Sequence, residues 1–304
     1  MGMYEQIARN KRRTFLMLLG FVVLITLVAT AIVLLFGGGW VGVVIAFVIA
    51  MALAWGSYYN SDKIAIKASR AVPADEVEYR RYHNLVEGLC IAAGLPKPKL
   101  YIVNDPAPNA FATGRNPKHA AIAVTTGLLE KMNRVELEGV LAHELSHVKN
   151  YDILVTTVAV TAIGTIALIS DIGLRFAFWG SMSGRRDNNG DSGPIGVVIA
   201  VASLAVLMLA PFAGYLMQMA MSRNREYLAD ASGVLLTRYP PGLISALEKL
   251  QDDHAVVHNA TKATAQMWIE QPLETDPKKQ GSKFNNLFDT HPPLEDRIKR
   301  LQEM

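Results

Sequence analysis

Leu141-Ala142-His143-Glu144-Leu145-Ser146-His147-Val148-Lys149-Asn150 contains the pattern H-E-x-x-H. Residues four apart on an α-helix stand above one another on the same face, so His143 and His147 predict two imidazoles reaching one metal ion. Glu144 lies beside them, placed to take a proton without being needed as a ligand. The stretch has a helix start: Asn133 is a capping residue and Glu136 completes a capping-box pattern, so the helix should run through His147 to about Asn150. It also carries Arg134, Glu136 and Glu138, which argues against a protease working inside a spanning helix.

A catalytic zinc takes three protein ligands and leaves one position open. The metzincin extension needs Gly at position 150 and His at position 153; Asn150 and Ile153 exclude that class. Further on, Arg223-Asn224-Arg225-Glu226-Tyr227-Leu228-Ala229-Asp230 sets two carboxylates one helical turn apart. Glu226 is the expected third ligand. Asp230 is placed to accept a hydrogen bond from the far nitrogen of a ligand histidine, fixing its tautomer. A solvated acidic helix face is the bland alternative for this pair.

Outward from that helix, Glu76 to Ala93 has helical spacing and stops at Gly94 before Pro96. Lys99 to Val103, Asn109 to Thr113 and Ala120 to Val124 are strand candidates, the last two joined by the loop Gly114 to Lys118. A small sheet of about three strands is expected.

Four stretches carry few or no charges. Thr14 to Phe36 is an uncharged run of 23 residues, enough to cross a hydrocarbon core of about 30 Å. It is too long for a signal h-region and runs through Gly37-Gly38-Gly39 into a second apolar stretch, Val41 to about Tyr59, so an uncleaved helical hairpin is the better reading. Ile153 to Ser170 is apolar but dotted with Thr156, Thr157, Thr161 and Thr165, residues suited to helix contacts in a bilayer. Ile195 to Met221 is long and uncharged, and Ser181 to Gly193 before it reads as a loop. The division expected is a transmembrane hairpin at 1–60, a first catalytic part at 61–152, a second helix pair at 153–221 and a second catalytic part at 222–304.

Basic residues near the segment ends set orientation. Arg9, Lys11, Arg12, Arg13, Lys63, Lys67, Arg70, Arg223 and Arg225 share one side if every segment crosses, whereas Arg175, Arg185 and Arg186 oppose the bias. Two crossings separate His147 from Glu226, so the chain returns to the side it left and the ligands can meet. Both termini are placed in the cytoplasm. Net charge is +3 over 304 residues, too weak for nucleic-acid binding, and the single Cys90 allows no intramolecular disulfide, which fits a reducing compartment. A zinc-stabilised scaffold would need a closed four-ligand site, and a transporter would need ionisable groups inside its spans, which these segments almost lack.

With these motifs together the chain resembles the HtpX-type membrane metalloproteases, relatives of the CAAX prenyl endoproteases. The resemblance rests on Pro108 to Arg115 (PNAFATGR), LAHELSHVKN, REYLADASG and Thr290 to Ile298 (THPPLEDRI), with paired apolar helices before and between them. It implies an α+β membrane protein, mostly helical, with about four transmembrane helices and a zincin-like (gluzincin) catalytic domain holding a small sheet. It further implies a zinc-dependent endopeptidase of the bacterial cytoplasmic (inner) membrane, with one Zn2+ per chain and a cytoplasmic active site, that cuts damaged or misfolded membrane proteins in stress response. Its partners would be unfolded or membrane-protein polypeptides and the lipid bilayer. By position His143, His147 and Glu226 become zinc ligands and Glu144 the general base. Asn109, Ala110, Phe111 and Ala112 look like the edge strand to which an extended substrate adds, though Ala and Phe suit a plain core strand equally. His291 would donate to an oxyanion or orient a loop, Arg297 make an ion pair, and Asn150 hold the end of the metal-site helix. His254 and His258 are expected on a solvated helix face.

Overall fold

The computed structural model describes residues 3–35, 39–183, 216, 223–253, 255–258, 264–270 and 292–304. The described chain is mostly helical around one small mixed sheet. Two long helices open it, α1 (Met3–Leu35) and α2 (Gly39–Tyr59), packed against each other, followed by the short α3 (Ser61–Ala68). The sheet has the order β1-β2-β4-β3: β1 (Val72–Pro73) pairs antiparallel with β2 (Lys99–Val103), β2 parallel with β4 (Ala120–Thr125), and β4 antiparallel with β3 (Ala110–Gly114). The three expected strands are present. The fourth, β1, is two residues long and contains a proline, too short to show alternation.

Period-2 alternation sends the two faces of this sheet into different cores. Leu100, Ile102, Ala110, Ala112, Ile122 and Val124 join a cluster with the helices beneath, while Val103, Phe111, Ala121 and Ala123 meet α3 and Trp268 on the other side. Helix α4 (Arg80–Ala93) starts later than the expected Glu76, because the Asp75 carboxylate accepts hydrogen bonds from the Val77 and Glu78 amides and holds a turn ahead of it. The motif helix is α6 (Arg134–Lys149), after the short helix α5 (Thr126–Lys131). Its capping box is complete: Asn133 Oδ1 accepts from the Val135 and Glu136 amides at 2.9 and 3.0 Å, and the Asn133 amide donates to Glu136 Oε2 at 2.8 Å.

Tyr151 is left-handed (φ 60°), and the chain turns there by 82° into α7 (Asp152–Ser183). Helix continues through Ser183, three residues into the expected loop. Helix α7 packs against α1, α2 and α3, and its Thr156, Thr157, Thr161 and Thr165 each donate to the carbonyl four residues back on their own helix. Thr157 Oγ1 also accepts from the Gly114 amide at 3.1 Å, tying α7 to the end of β3 as well.

Among the described residues α2 alone has a stretch, Gly39–Gly56, long and apolar enough to cross a membrane by itself; α6 and α7 pass only as one bent pair. The fourth apolar segment lies outside the described residues apart from Leu216, which is buried among side chains of α1, α2 and α7. The chain then supplies α8 (Arg223–Thr237), α9 (Pro240–Asp252) and α10 (Leu294–Gln302), all packed in the cluster that contains α6. His258 is exposed, with its amide donating to Asp105 at 2.8 Å, but it does not sit on a helix: α9 ends at Asp252 and the following residues are irregular. His254 lies outside the described residues.

Candidate metal centre

Helix α6 is buried almost all round, from Leu137 to Ser146, so its histidines are fixed by packing before any ligand arrives. Helix α8 lies close against it because Gly233 has no side chain. A Cβ there would meet the backbone nitrogen of His143 at 3.0 Å. That close approach turns Glu226 and Asp230, on the same α8 face, toward His143 and His147.

The two imidazole Nε2 atoms lie 3.1 Å apart. Glu226 Oε2 is 3.6 Å from His143 Nε2, and Glu226 Oε1 is 3.7 Å from His147 Nε2. One atom from each of the three residues fits within 4.8 Å of the others. Each ring spends its Nδ1 on a carboxylate: His143 on Asp230 at 2.8 Å, His147 on Asp152 at 3.1 Å. With Nδ1–H donating outward, a neutral ring presents a lone pair at Nε2. Two such lone pairs and a carboxylate then converge with no hydrogen between them. This is a donor set of the N/O type that a divalent cation satisfies.

The carboxylates also tune the rings. Burial alone would lower the proton affinity of both histidines, but Asp230 and Glu226 raise it for His143, and Glu226 and Asp152 raise it well above normal for His147. The pocket therefore attracts positive charge at the point where Nε2 and carboxylate oxygens meet. Glu144 is fully buried next to them, and burial pushes its carboxyl above the usual carboxylate range, partly offset by the two histidines.

Two second partners anchor the ligands. Asp230 is gripped by the fully buried Arg297 of α10, which donates from Nε at 2.8 Å and from Nη2 at 2.6 Å, and from Nη1 to the Ile269 carbonyl at 3.2 Å. Burial would raise the Asp230 carboxyl, but Arg297 and His143 hold it down at about 2. Asp152 was not singled out in the sequence. Its Oδ2 faces His147, and its Oδ1 accepts from Asn10 Nδ2 of α1 at 2.8 Å. The same Asn10 amide donates to the Asn150 carbonyl at 3.0 Å, at the end of α6. Asn150 thus closes α6 through its main chain, with its amide donating to Ser146 at 3.0 Å. The only sequence signal for Asp152 is an acid placed just past the motif helix; its reach depends on the left-handed Tyr151.

The edge strand is shared. Trp268 bridges to Phe111, and the Ile269 amide donates to the Ala110 carbonyl at 2.9 Å, so the chain itself pairs with the start of β3. Asn109 is held there too, its Nδ2 donating to the Glu270 carbonyl at 3.1 Å. The Asn109 carbonyl points to β4 and that of Ala110 away from it. By the same alternation Ala112 turns its N–H and C=O to that edge, where the Phe111–Trp268 bridge sets Met267 opposite its N–H. His291 lies outside the described residues.

A helix-borne imidazole pair, a carboxylate from a second helix and a buried glutamate beside them make the centre of a metalloprotease. The family profile of peptidase family M48 matches residues 76–304. A Protease HtpX homolog of Caldanaerobacter subterraneus subsp. tengcongensis is 43% identical over 302 residues, 99% of this chain and 98% of the relative. One of Lactobacillus helveticus is 44% identical over 304 residues, 99% of this chain and all of the relative. A crystal structure of S. mikatae Ste24p matches at TM-score 0.46 and 19% identity, over 85% of this chain and 57% of that one. The chain belongs to peptidase family M48.

Proposed function

We propose that this chain is a zinc endopeptidase embedded in the bacterial cytoplasmic membrane, cutting unfolded or damaged membrane proteins on the cytoplasmic side. The observation that carries the reading is the convergence of His143, His147 and Glu226 beside the buried Glu144, within 4.8 Å for the three ligand atoms. Three ligands from two helices would hold a zinc ion one ligand short of the closed set of a structural site, as catalysis requires.

His143, His147 and Glu226 hold the ion, and Asp230 and Asp152 keep both rings turned with Nε2 inward. When bound, zinc supplies Lewis acidity, lowering the pKa of a water toward about 7 and polarising the peptide carbonyl. Glu144 takes the proton of the attacking water on a carboxylate oxygen and later delivers it to the leaving amine. Its raised proton affinity suits both halves of that task. Substrate main chain pairs in extended form with the β3 edge, Asn109 to Ala112, beside the Trp268 bridge, which makes recognition tolerant of side-chain sequence. His291 is the proposed oxyanion donor.

Four spans, α1, α2, α7 and 195–221, carry the catalytic halves 61–152 and 222–304. Asn10 of α1 contacts Asn150 and Asp152 directly, so the basic end of the first helix lies on the same side as the metal site. The positive-inside bias then puts that side in the cytoplasm. The test is digestion of an unfolded protein by purified, zinc-loaded enzyme in detergent, with Glu144→Gln alongside. Wild-type cleavage, with the variant slower by about 10²–10⁴-fold at equal zinc content, is expected. Equal rates for the two would remove Glu144 from the chemistry.

A further inference from the structure

Beside the basic end of α1 lies a cavity of about 850 Å3 whose wall includes three cations, Lys11, Arg115 and Lys118, and no acidic residue. It sits where the α1–α2 hairpin meets the β3–β4 loop and the Tyr151 turn. Lys11 stands 4.7 Å over the Tyr151 ring, and Arg115 stands 5.1 Å over the Tyr59 ring while donating to the Tyr59 carbonyl at 3.1 Å. Lys11 of α1 and Arg115 and Lys118 of the β3–β4 loop therefore line one chamber from two elements.

The chamber does not end there. A second cavity of about 570 Å3 shares Phe15, Leu18 and Tyr58 with it and continues along α1 and α2 to Leu27 and Trp55, with a lining that is apolar apart from Thr26 and the tyrosines. From Phe15 to Leu27 the trench follows about 18 Å of helix, close to the depth of one bilayer leaflet. Phe15, Leu19, Val23 and Leu27, four residues apart, are all exposed along it. A cationic head chamber joined to an apolar trench of leaflet depth matches one kind of molecule in both chemistry and length.

We infer that Lys11, Arg115 and Lys118 hold the phosphate of an anionic phospholipid, with one acyl chain in the trench between α1 and α2. The inference rests on the proposed membrane setting of the hairpin. A zwitterionic lipid brings its own ammonium beside the phosphate and gains less from three cations in a wall without acids, and a free phosphate gains nothing from the trench. Each cation near an anionic lipid is worth roughly fivefold in affinity, so three together give about a hundredfold preference for anionic over zwitterionic lipid.

The experiment uses the full chain in nanodiscs of phosphatidylcholine containing phosphatidylglycerol at equal mole fraction. Lipid retained after detergent extraction is counted by native mass spectrometry, and vesicle flotation is run in parallel. Wild type should keep about one phosphatidylglycerol, and K11E/R115E/K118E should lose the preference. Lys118→Glu and Lys11→Glu, both at exposed positions, guard against a triple variant that fails to fold, and each should weaken retention about fivefold. No preference in wild type, full preference in the variants, or displacement of the lipid by millimolar inorganic phosphate would overturn the site. Flotation separates the two levels: a protein that floats without lipid preference loses only this site, whereas one that does not float loses the membrane reading beneath it.

Discussion

At the scale of single residues the centre is a chain of fixed orientations. His147 keeps Nε2 inward because Asp152 holds Nδ1, and Asp152 is held in turn by Asn10. Removing such an outer partner usually weakens metal binding 10–100-fold. Asp152→Asn should therefore lower zinc affinity by that factor in a chelator competition while leaving the other ligands in place; an unchanged affinity would make Asp152 a simple helix cap. Glu270 offers a different test. Burial, with Asp253 nearby, pushes its carboxyl up to about 8 from an ordinary 4.5. The folded protein then binds more protons than the unfolded chain between those values, so stability falls as pH rises through that window. Glu270→Gln should flatten this fall in Tm between pH 5 and 8, and parallel slopes for the two proteins would contradict it. The sequence displayed His143, Glu144, His147 and Glu226 through fixed spacing and a matching motif. Asp152 and Ile269 stayed hidden because their partners are reached only through a left-handed turn and a strand-edge contact.

Elements were legible in proportion to their local signals. Asn133 and Glu136 announced α6, and alternation announced β2 and β4 with nearly their observed bounds. The capping box is worth about 1 kcal/mol by its Asn alone, so Asn133→Ala should cost that much stability in a denaturant titration. What no local pattern shows is helix-to-helix distance. Gly233 sets it between α6 and α8, and Gly139 between α6 and α9, where a Cβ would meet the Leu243 amide nitrogen at 2.8 Å. Gly233→Val should force α8 away from His143, costing about 1–3 kcal/mol and weakening zinc binding with it. A variant with wild-type Tm and zinc affinity would show that α8 has room to spare. The α7 threonines satisfy their hydroxyls within the helix, a detail that composition does not display.

For the whole molecule the sequence carries the apolar runs and the basic ends, and the fold adds that the start of α1 touches the metal-site helix. The proposed four-span topology predicts that Asn188 faces the side of the membrane opposite the catalytic centre. Asn188→Cys should accordingly react with an impermeant maleimide added outside intact cells. Cys90 will not interfere, because it is buried and burial pushes its thiol up to about 11. Protection of the new cysteine until the cells are opened would reverse the topology. The central claim, that three side chains from α6 and α8 hold one catalytic ion, is tested most directly by metal analysis of purified wild type beside Glu226→Ala. The account predicts one zinc per wild-type chain and a large loss in the variant, with proteolysis lost in step. One firmly held zinc in both proteins would contradict it and place the third ligand elsewhere.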